Sequence, residues 1–277
     1  MDIHDLVNWS NLSVDRQQYL IVNTTTLAIK DHPLFSLPDI IGELVNLKEL
    51  SINKTRLSSL PDTIGKLVNL EKLYIEKSEL CSLPETIGNL VNLNELSLSI
   101  NQLTSLPDTI GNLVNLKILK LYRNNLSSLP EAIWKLYNLK ELDIGYNQLS
   151  FLSDSIGNLS LRRLMIDVNE FSVLPYDIHK VNQLLISNNP NLGYENEYGD
   201  FIHIRTALEW INYIETRKWT PNNHNSYSKN TKDVIMRLFT IRKYENTGLE
   251  NLPRELMFEI ISIYVSMSSK QKRVDQD

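Results

Sequence analysis

The stretch "LPDTIGNLVNLKILKLYRNNLSSLP", residues 106–130, decides the fold because it begins and ends on the same Leu-Pro dipeptide. Alignment of the chain on this dipeptide places five prolines in equivalent positions, each 23 residues after the last: Pro38, Pro61, Pro84, Pro107 and Pro130. Ser153 and Pro175 continue the series. A fixed period of this length is typical of solenoids, in which each repeat forms one turn that packs on its neighbours. The sequence therefore predicts a solenoid over residues 24–192.

Most repeats carry the spacing L-x-x-L-x-L-x-x-N-x-L, which is that of leucine-rich repeats. In the best copy, the five positions are held by Leu116, Leu119, Leu121, Asn124 and Leu126. Residues two apart on a strand point to the same side, so Leu119 and Leu121 point inward and the residues between and beside them point outward. The predicted fold is α/β: a leucine-rich-repeat solenoid with a curved parallel sheet of about eight short strands and a concave face.

An asparagine recurs where the chain leaves most of the predicted strands. Its amide can both donate and accept, so it can satisfy backbone groups that would otherwise be buried without partners. We therefore expect a structural asparagine ladder formed by Asn101, Asn124, Asn147, Asn169 and Asn189. The first two repeats have Thr55 and Ser78 instead, and these side chains form fewer hydrogen bonds.

The ends of the array need covers, because an open edge of a parallel sheet invites pairing with another chain. Residues 1–23 are predicted to form the N-terminal cap, and residues 193–219 a C-terminal helical cap. In the latter, Ile204, Ala207, Leu208, Ile211 and Ile214 recur at helical spacing. Residues 220–230 are rich in turn-forming residues and are predicted to be a linker. Residues 231–277 then form a helical tail.

The amino-acid composition argues against several classes of function. The chain has 277 residues, a formal net charge of −5 and a pI near 5.6, which argues against a nucleic-acid binder. No segment has the apolar length of a membrane span, and the N-terminus lacks the pattern of a secretory signal. Cys81 is the only cysteine, which fits a reducing compartment, so we expect a cytoplasmic protein, in the host cytoplasm if the source is viral.

The sequence carries no motif for catalysis or for metal binding. No phosphate-binding loop, dinucleotide fingerprint or H-E-x-x-H motif occurs, and the five histidines are scattered without ligand spacing. Some bacterial effectors join leucine-rich repeats to a ubiquitin-ligase domain with a nucleophilic cysteine, but here no cysteine follows Cys81. We therefore expect a protein without catalytic activity, cofactor or metal.

Residues 24–192 resemble the leucine-rich repeats of the plant intracellular Ras-group-related family and their animal scaffold counterparts. "LPDTIGNLVNL", residues 106–116, carries this resemblance almost letter for letter. The resemblance implies a protein-binding scaffold that uses the concave face. Aromatic, apolar and charged residues mix at outward positions, a composition common in binding sites. The partner-binding candidates are Tyr74, Ile118, Lys120, Tyr122, Arg123, Asp143, Tyr146, Arg163, Met165, Asp167 and Leu185. The alternative is that isolated apolar surface residues have no function.

The segment "LENLPRELMFEI", residues 249–260, keeps the Leu-Pro dipeptide but loses the period of the repeat. Its apolar residues follow helical spacing instead. "LPRELMFEII" resembles the opening of an F-box, and the preceding helix resembles part of a SOCS box, which implies docking on an adaptor of a cullin-type ubiquitin ligase. The tail-docking candidates are Leu252, Pro253, Leu256, Ile260 and Tyr264. The alternative is a helical hairpin that packs on the cap or closes a dimer.

Overall fold

The computed structural model describes residues 3–172, 174–175, 178, 181, 183–195 and 201–203. Eight strands form one parallel sheet in which every strand pairs with its neighbours in chain order. They are β1 Thr26–Lys30, β2 Glu49–Asn53, β3 Lys72–Glu76, β4 Glu95–Ser97, β5 Ile118–Lys120, β6 Glu141–Asp143, β7 Arg163–Met165 and β8 Gln183–Leu185. This confirms the predicted leucine-rich-repeat solenoid and its eight rungs.

The register of the sheet aligns equivalent residues of successive repeats. Leu73 of β3 pairs with Leu50 of β2 and with Leu96 of β4, and all three are fully buried. In β5, Leu119 is buried while Ile118 and Lys120 are only half-buried. Burying one leucine side chain contributes roughly 1.5–3 kcal/mol. The columns of aligned leucine and isoleucine therefore form a continuous core behind the sheet.

Short 3-10 helices form the opposite side of the solenoid. They span Asp39–Glu43, Asp62–Lys66, Glu85–Asn89, Asp108–Asn112, Glu131–Lys135 and Asp154–Asn158. Pro107 precedes the fourth with a φ of −69°, which proline's ring favours. A Cβ on Gly111 would lie 2.6 Å from the carbonyl oxygen of Ala132 in the next repeat, so a glycine is required for the two turns to approach. Trp134 takes the equivalent position one repeat later and is buried.

Two columns of asparagine side chains join the repeats. In the inner column, Asn124 Nδ2 donates to the carbonyl oxygens of Leu98 and Leu121 at 3.0 Å, and Asn124 Oδ1 accepts from the N–H of Leu103 at 3.1 Å. Asn101, Asn147 and Asn169 make the same set of contacts, and Asn189 donates in the same way. At the top of the column, the hydroxyls of Thr55 and Ser78 lie 2.9 Å apart.

The outer column was not foreseen from the sequence. Its asparagines are exposed, and each donates from Nδ2 to a backbone carbonyl of the preceding repeat at 2.8–3.0 Å: Asn46, Asn69, Asn92, Asn115 and Asn138. The acceptors are the carbonyls of Val22, Val45, Val68, Val91 and Val114, whose side chains are themselves exposed. This column stops where the seventh repeat shortens and Ser160 takes the asparagine position.

Every rung also turns through a non-glycine residue in the left-handed region, at φ between 52° and 60°. These residues are Asp31, Lys54, Lys77, Ile100, Arg123, Tyr146, Val168 and Asn188. From Ile100 onward, each one directly precedes an asparagine of the inner column. Ile100 and Val168 are β-branched, and such residues rarely adopt this conformation. The turn is thus held by its surroundings and not by local preference.

Residues before β1 fold into α1 Ile3–Val7, a 3-10 helix Trp9–Asn11 and α2 Val14–Asn23. Ser13 caps α2, because its hydroxyl accepts from the N–H of Arg16 at 3.3 Å. Leu6 and Leu20 are buried, and Asn46 donates to the Val22 carbonyl of α2. Within the described residues, no helix is long and apolar enough to cross a bilayer.

The predicted helical cap is wrong at its start. β9 Gly193–Glu195 and β10 Phe201–His203 form a separate antiparallel pair, with Ile202 opposite Tyr194. Aromatic and β-branched residues favour extended backbone, whereas the helical spacing of apolar residues begins only at Ile204. The predicted helix from Ile204, the linker and the tail with Leu252, Pro253, Leu256, Ile260 and Tyr264 lie outside the described residues.

Candidate functional site

Most of the predicted binding residues gather on neighbouring strands of the sheet. Ile118 and Lys120 lie on β5 with Tyr122 just after it, Asp143 ends β6, and Tyr146 follows in its turn. Arg163 and Met165 lie on β7 with Asp167 just after it, and Leu185 ends β8 with 41% of its surface exposed. The register pairs Lys120 with Asp143 and Asp143 with Met165. We call the surface formed by these residues on β5–β8 the concave patch.

Tyr122 and Tyr146 form the aromatic centre of the concave patch. Their ring centroids are 4.9 Å apart and the ring planes are tilted by 58°. Tyr122 is half-buried, while Tyr146 remains 44% exposed. Tyr146 and the exposed Arg123 occupy the left-handed positions of successive rungs, so both side chains are placed by backbone turns rather than by strands. The pair therefore forms a partly exposed aromatic surface in the concave patch.

Glu141 organises the basic side chains of the concave patch. Its Oε1 lies 3.8 Å from Lys120 Nζ, and its Oε2 lies 3.9 Å from Arg163 Nη1. Arg163 Nε also donates to Gln183 Oε1 at 2.8 Å. Pairs this exposed contribute little stability. These ion pairs place the side chains of Lys120 on β5 and Arg163 on β7 against the carboxylate of Glu141.

The carboxylates of Asp143 and Asp167 accept hydrogen bonds from uncharged donors. The N–H of Gly145 donates to Asp143 Oδ1 at 3.1 Å. Asp167 Oδ1 accepts from the N–H and the hydroxyl of Ser187 at 2.9 and 2.7 Å. Burial raises the pKa of Asp143 above its ordinary value, and this outweighs the lowering effects of the Gly145 hydrogen bond and of Lys120. No described cation lies within ion-pair distance of either carboxylate.

Tyr74 stands apart from the concave patch. It lies on β3, two strands before β5, and its hydroxyl donates to Glu95 Oε2 at 2.5 Å. Burial and this hydrogen bond raise the pKa of Tyr74 well above its ordinary value, and Glu49 and Glu76 add to the effect. The hydroxyl of Tyr74 is thus hydrogen-bonded to another strand of the same sheet. The structure does not bring it together with the other candidates.

Two outward positions of the sheet make contacts that the repeat pattern does not predict. Ser97 is only 3% exposed, and its hydroxyl donates to Glu76 Oε1. Glu141 contacts both Lys120 and Arg163 of the concave patch. Pairwise contacts between adjacent strands depend on side-chain length and rotamer, which the repeat spacing does not specify.

Gly145 was missed by the sequence analysis. Gly145 is buried, and a Cβ at this position would lie 3.3 Å from the carbonyl oxygen of Asp167, 3.4 Å from Asp143 Oδ1 and 3.6 Å from Tyr122 Cδ2, so the glycine lets these three groups approach the backbone closely. The sequence does contain a signal for it. The residues aligned with Gly145 in the neighbouring repeats are Ser99, Tyr122 and Asp167, all of which have side chains. A glycine in that column marks a place where neighbouring groups approach the backbone closely.

Within the described ranges, no group of three or more histidine, cysteine, aspartate or glutamate side chains could hold a metal ion. The sheet instead presents a concave surface of mixed aromatic and charged residues on a repeating scaffold. Such a surface is suited to contact another macromolecule. This architecture defines a leucine-rich-repeat protein.

Comparison with known families agrees with the fold. Residues 22–108 match a family model described as "Leucine-rich repeat region", and residues 91–149 and 114–171 match one described as "Leucine rich repeat". The two models together extend from residue 22 to residue 171, the same segment that forms β1 to β7. Residues 22–171 are therefore leucine-rich repeats. A search of curated proteins finds no significant match to the chain.

Solved structures similar to this chain include two at 29% sequence identity. One is the leucine-rich repeat domain of the type III effector XopL, with a TM-score of 0.52, covering 65% of this chain and 62% of that one. The other is the plant peptide hormone receptor RGFR1 in complex with RGF2, with a TM-score of 0.53 and coverage of 62% and 31%. A leucine-rich-repeat protein of Leptospira interrogans is 26% identical, with a TM-score of 0.32 over 66% of this chain and 68% of that one. The chain thus spans less than two thirds of the effector domain and about a third of the receptor.

Proposed function

We propose that this protein is a non-catalytic scaffold that binds a partner protein through the concave patch. The observation that carries the proposal is the Tyr122–Tyr146 pair, with ring centroids 4.9 Å apart, surrounded by charged side chains on a rigid sheet. Tyrosine and arginine are enriched where interfaces bind most strongly. A rigid sheet also lowers the entropy lost on binding, because the binding side chains are already positioned.

Two further observations support this function. The solved structures of similar fold include the leucine-rich repeat domain of a type III effector and a peptide hormone receptor in complex with RGF2, and the second of these is bound to a ligand. The concave patch also contains residues that do nothing evident for the core, because Tyr146 and Leu185 leave 44% and 41% of their surfaces exposed. We further propose that binding takes place in the cytoplasm, since the exposed Cys81 is a free thiol.

The test is affinity purification of the full chain against a concave-patch variant, Lys120→Glu with Tyr122→Ala. A matched control, Lys135→Glu with Tyr137→Ala, makes the same two changes at exposed positions on the other side of the repeat. We expect partners recovered by the wild type and by the control to be lost from the concave-patch variant at equal thermal stability. Recovery of the same partners by all three proteins would refute the proposal.

A second candidate function rests on the sequence "LPRELMFEII", residues 252–261, and its resemblance to the opening of an F-box. In this alternative, the tail recruits a cullin-type ubiquitin ligase, and the repeats select its substrate. The test compares the full chain with Leu252→Ala/Pro253→Ala by co-purification of cullin-complex components. The alternative requires those components with the wild type and their loss with the variant. Their absence from both leaves the simple scaffold.

A further inference from the structure

We infer that the solenoid has a second binding surface, on the edge where the chain enters the strands, which takes a proline-rich segment in the polyproline II conformation. This surface shares no residue with the concave patch, and the inference goes beyond the proposed function. The surface consists of an exposed apolar row, the outer asparagine column and a groove of about 490 Å³ beside them. We call the apolar row the valine ridge: Val22, Val45, Val68, Val91, Val114 and Tyr137.

The valine ridge is apolar at a position where the core does not need an apolar side chain. Its six members occupy aligned positions 23 residues apart, and they leave 41–63% of their surfaces exposed. The exposed position two residues earlier is polar in the same five repeats: Glu43, Lys66, Asn89, Asn112 and Lys135. A contiguous apolar patch on a protein surface is typical of an interaction site. The valine ridge is thus a candidate for contact with apolar groups of a partner.

The outer asparagine column supplies hydrogen-bonding groups along the valine ridge. An asparagine amide has two hydrogens to donate and one oxygen that accepts. In Asn92, one Nδ2 hydrogen is donated to the carbonyl oxygen of Val68 at 2.8 Å, which fixes the orientation of the amide. Among the described residues, none donates to Asn92 Oδ1 or accepts its second hydrogen. The other four asparagines of the column are arranged in the same way. Each rung therefore presents one donor and one acceptor at a fixed place.

The groove beside the column is close to neutral in charge. It is lined by Val22, Thr25, Asn46, Lys48, Asn69, Glu71, Asn92 and Asn94. Lys48 Nζ lies 3.3 Å from Glu71 Oε1, so the two charged lining residues compensate each other. No cation is left in the lining for a phosphate, which argues against nucleic acid or a phosphorylated peptide. The lining favours an uncharged chain that carries hydrogen-bonding groups.

The spacing of the asparagines decides which backbone conformation fits. Neighbouring rungs of a parallel sheet lie about 4.8 Å apart, so alternate asparagines are about 9.6 Å apart. A polyproline II helix repeats every three residues and advances about 9.3 Å in that repeat. An extended strand repeats every two residues, or about 6.8 Å, which matches neither one rung nor two. Polyproline II is therefore the conformation whose period agrees with the column.

The chemistry of polyproline II agrees with the same surface. Its backbone has no internal hydrogen bonds, so its carbonyl oxygens can accept from the free Nδ2 hydrogens of the column. An α-helix satisfies its own carbonyls and offers the asparagines nothing to bind. Proline rings at every third residue can pack on alternate members of the valine ridge, such as Val45 and Val91. A polyproline II segment is also stiff before it binds, so it loses little conformational entropy.

The experiment uses as bait the full chain with Lys120→Glu and Tyr122→Ala, so that ligands of the concave patch are not selected. Peptides are selected on this bait from a random library. Their affinities are then measured for the bait alone and for the bait with Val68→Ser/Val91→Ser. The matched control is Val7→Ser/Val14→Ser, two valines outside the valine ridge that are 53% and 78% exposed.

We expect the selected peptides to contain proline and to have fixed positions at every third residue. Val68→Ser/Val91→Ser should weaken their binding about tenfold at an unchanged melting temperature, whereas Val7→Ser/Val14→Ser leaves binding unchanged. Sedimentation of the wild type and of Val68→Ser/Val91→Ser should show a monomer in both cases, because the valine ridge is inferred to bind a peptide and not a second copy of the chain.

Several results would overturn the inference. Fixed positions at every second residue would indicate an extended strand, and positions three and four apart would indicate a helix. Selection of no peptide, of peptides without proline, or of peptides that bind the bait and Val68→Ser/Val91→Ser equally would also overturn it. A wild-type dimer that dissociates in Val68→Ser/Val91→Ser would assign the valine ridge to self-association instead. None of these results bears on the proposed function, because the bait lacks the concave patch.

Discussion

The side-chain oxygen of Asn124 accepts a hydrogen bond from the backbone N–H of Leu103 in the preceding rung, at 3.1 Å. The same amide donates to the carbonyl oxygens of Leu98 and Leu121, so one buried side chain satisfies three backbone groups from two rungs. Asn124→Ala leaves these groups buried without partners. We expect a loss of about 1–3 kcal/mol in the free energy of unfolding, measured by urea denaturation.

Asn115→Ala is the matched control, because it removes the same amide from the outer column. Asn115 Nδ2 donates to the carbonyl oxygen of Val91 at 2.8 Å, but the residue is exposed, and water can replace the lost donor. Removal of the Asn115 side-chain amide should therefore lower the free energy of unfolding by less than about 1 kcal/mol. Equal losses for Asn115→Ala and Asn124→Ala would show that burial does not decide the strength of these contacts.

The repeat spacing predicted the sheet, its register and the inner asparagine column, because each depends on a residue type at a fixed position in every repeat. The pairing of Leu50, Leu73 and Leu96 follows directly from the period of 23 residues. Departures from the repeat were harder to interpret. Gly145 and Glu141 derive their roles from neighbours on other strands, and Phe201–His203 pairs with Gly193–Glu195, which lies beyond the last repeat.

Gly111→Ala tests the close approach of successive turns. The added methyl group would lie 2.6 Å from the carbonyl oxygen of Ala132, a backbone atom that cannot rotate away. Overpacking of this kind costs about 1–3 kcal/mol, which we expect as a lower melting temperature. Asn112→Ala, at the exposed neighbouring position, should change stability by about 0.5 kcal/mol or less. A Gly111→Ala protein as stable as the wild type would mean that the turns can separate freely.

Ile100→Asn tests the strain of the left-handed turn. Ile100 has a φ of 60°, which its branched side chain disfavours, and asparagine tolerates this region far better. Because Ile100 is only half-buried, little apolar contact is lost. We expect the substitution to raise stability by about 1 kcal/mol, or the melting temperature by about 2–4 °C.

Val91→Asn is the control for Ile100→Asn. It introduces the same residue at an exposed valine outside the left-handed positions. It should give no gain in stability, since no backbone strain is relieved there. If both variants are stabilised equally, the gain comes from surface polarity and not from the turn.

Asp143→Asn should stabilise the free protein at neutral pH. Burial raises the pKa of Asp143, so the folded state binds its proton more tightly than the unfolded state does. Between the ordinary aspartate pKa and this raised value, stability falls as pH rises, and above the raised pKa the full cost is present. Asparagine carries no charge and avoids that cost, while it can still accept from the N–H of Gly145.

The pH dependence distinguishes this cause from others. Below the ordinary pKa of aspartate, Asp143 is protonated in both the folded and unfolded states, so the stability difference between wild type and Asp143→Asn should vanish there. This stability difference is measured from the melting temperatures of the wild type and Asp143→Asn at a series of acidic and neutral pH values. Asp154→Asn, at an exposed position with solvent around it, should give melting temperatures close to those of the wild type throughout. A gain for Asp143→Asn that persists undiminished at acidic pH would attribute the effect to packing rather than to the buried charge.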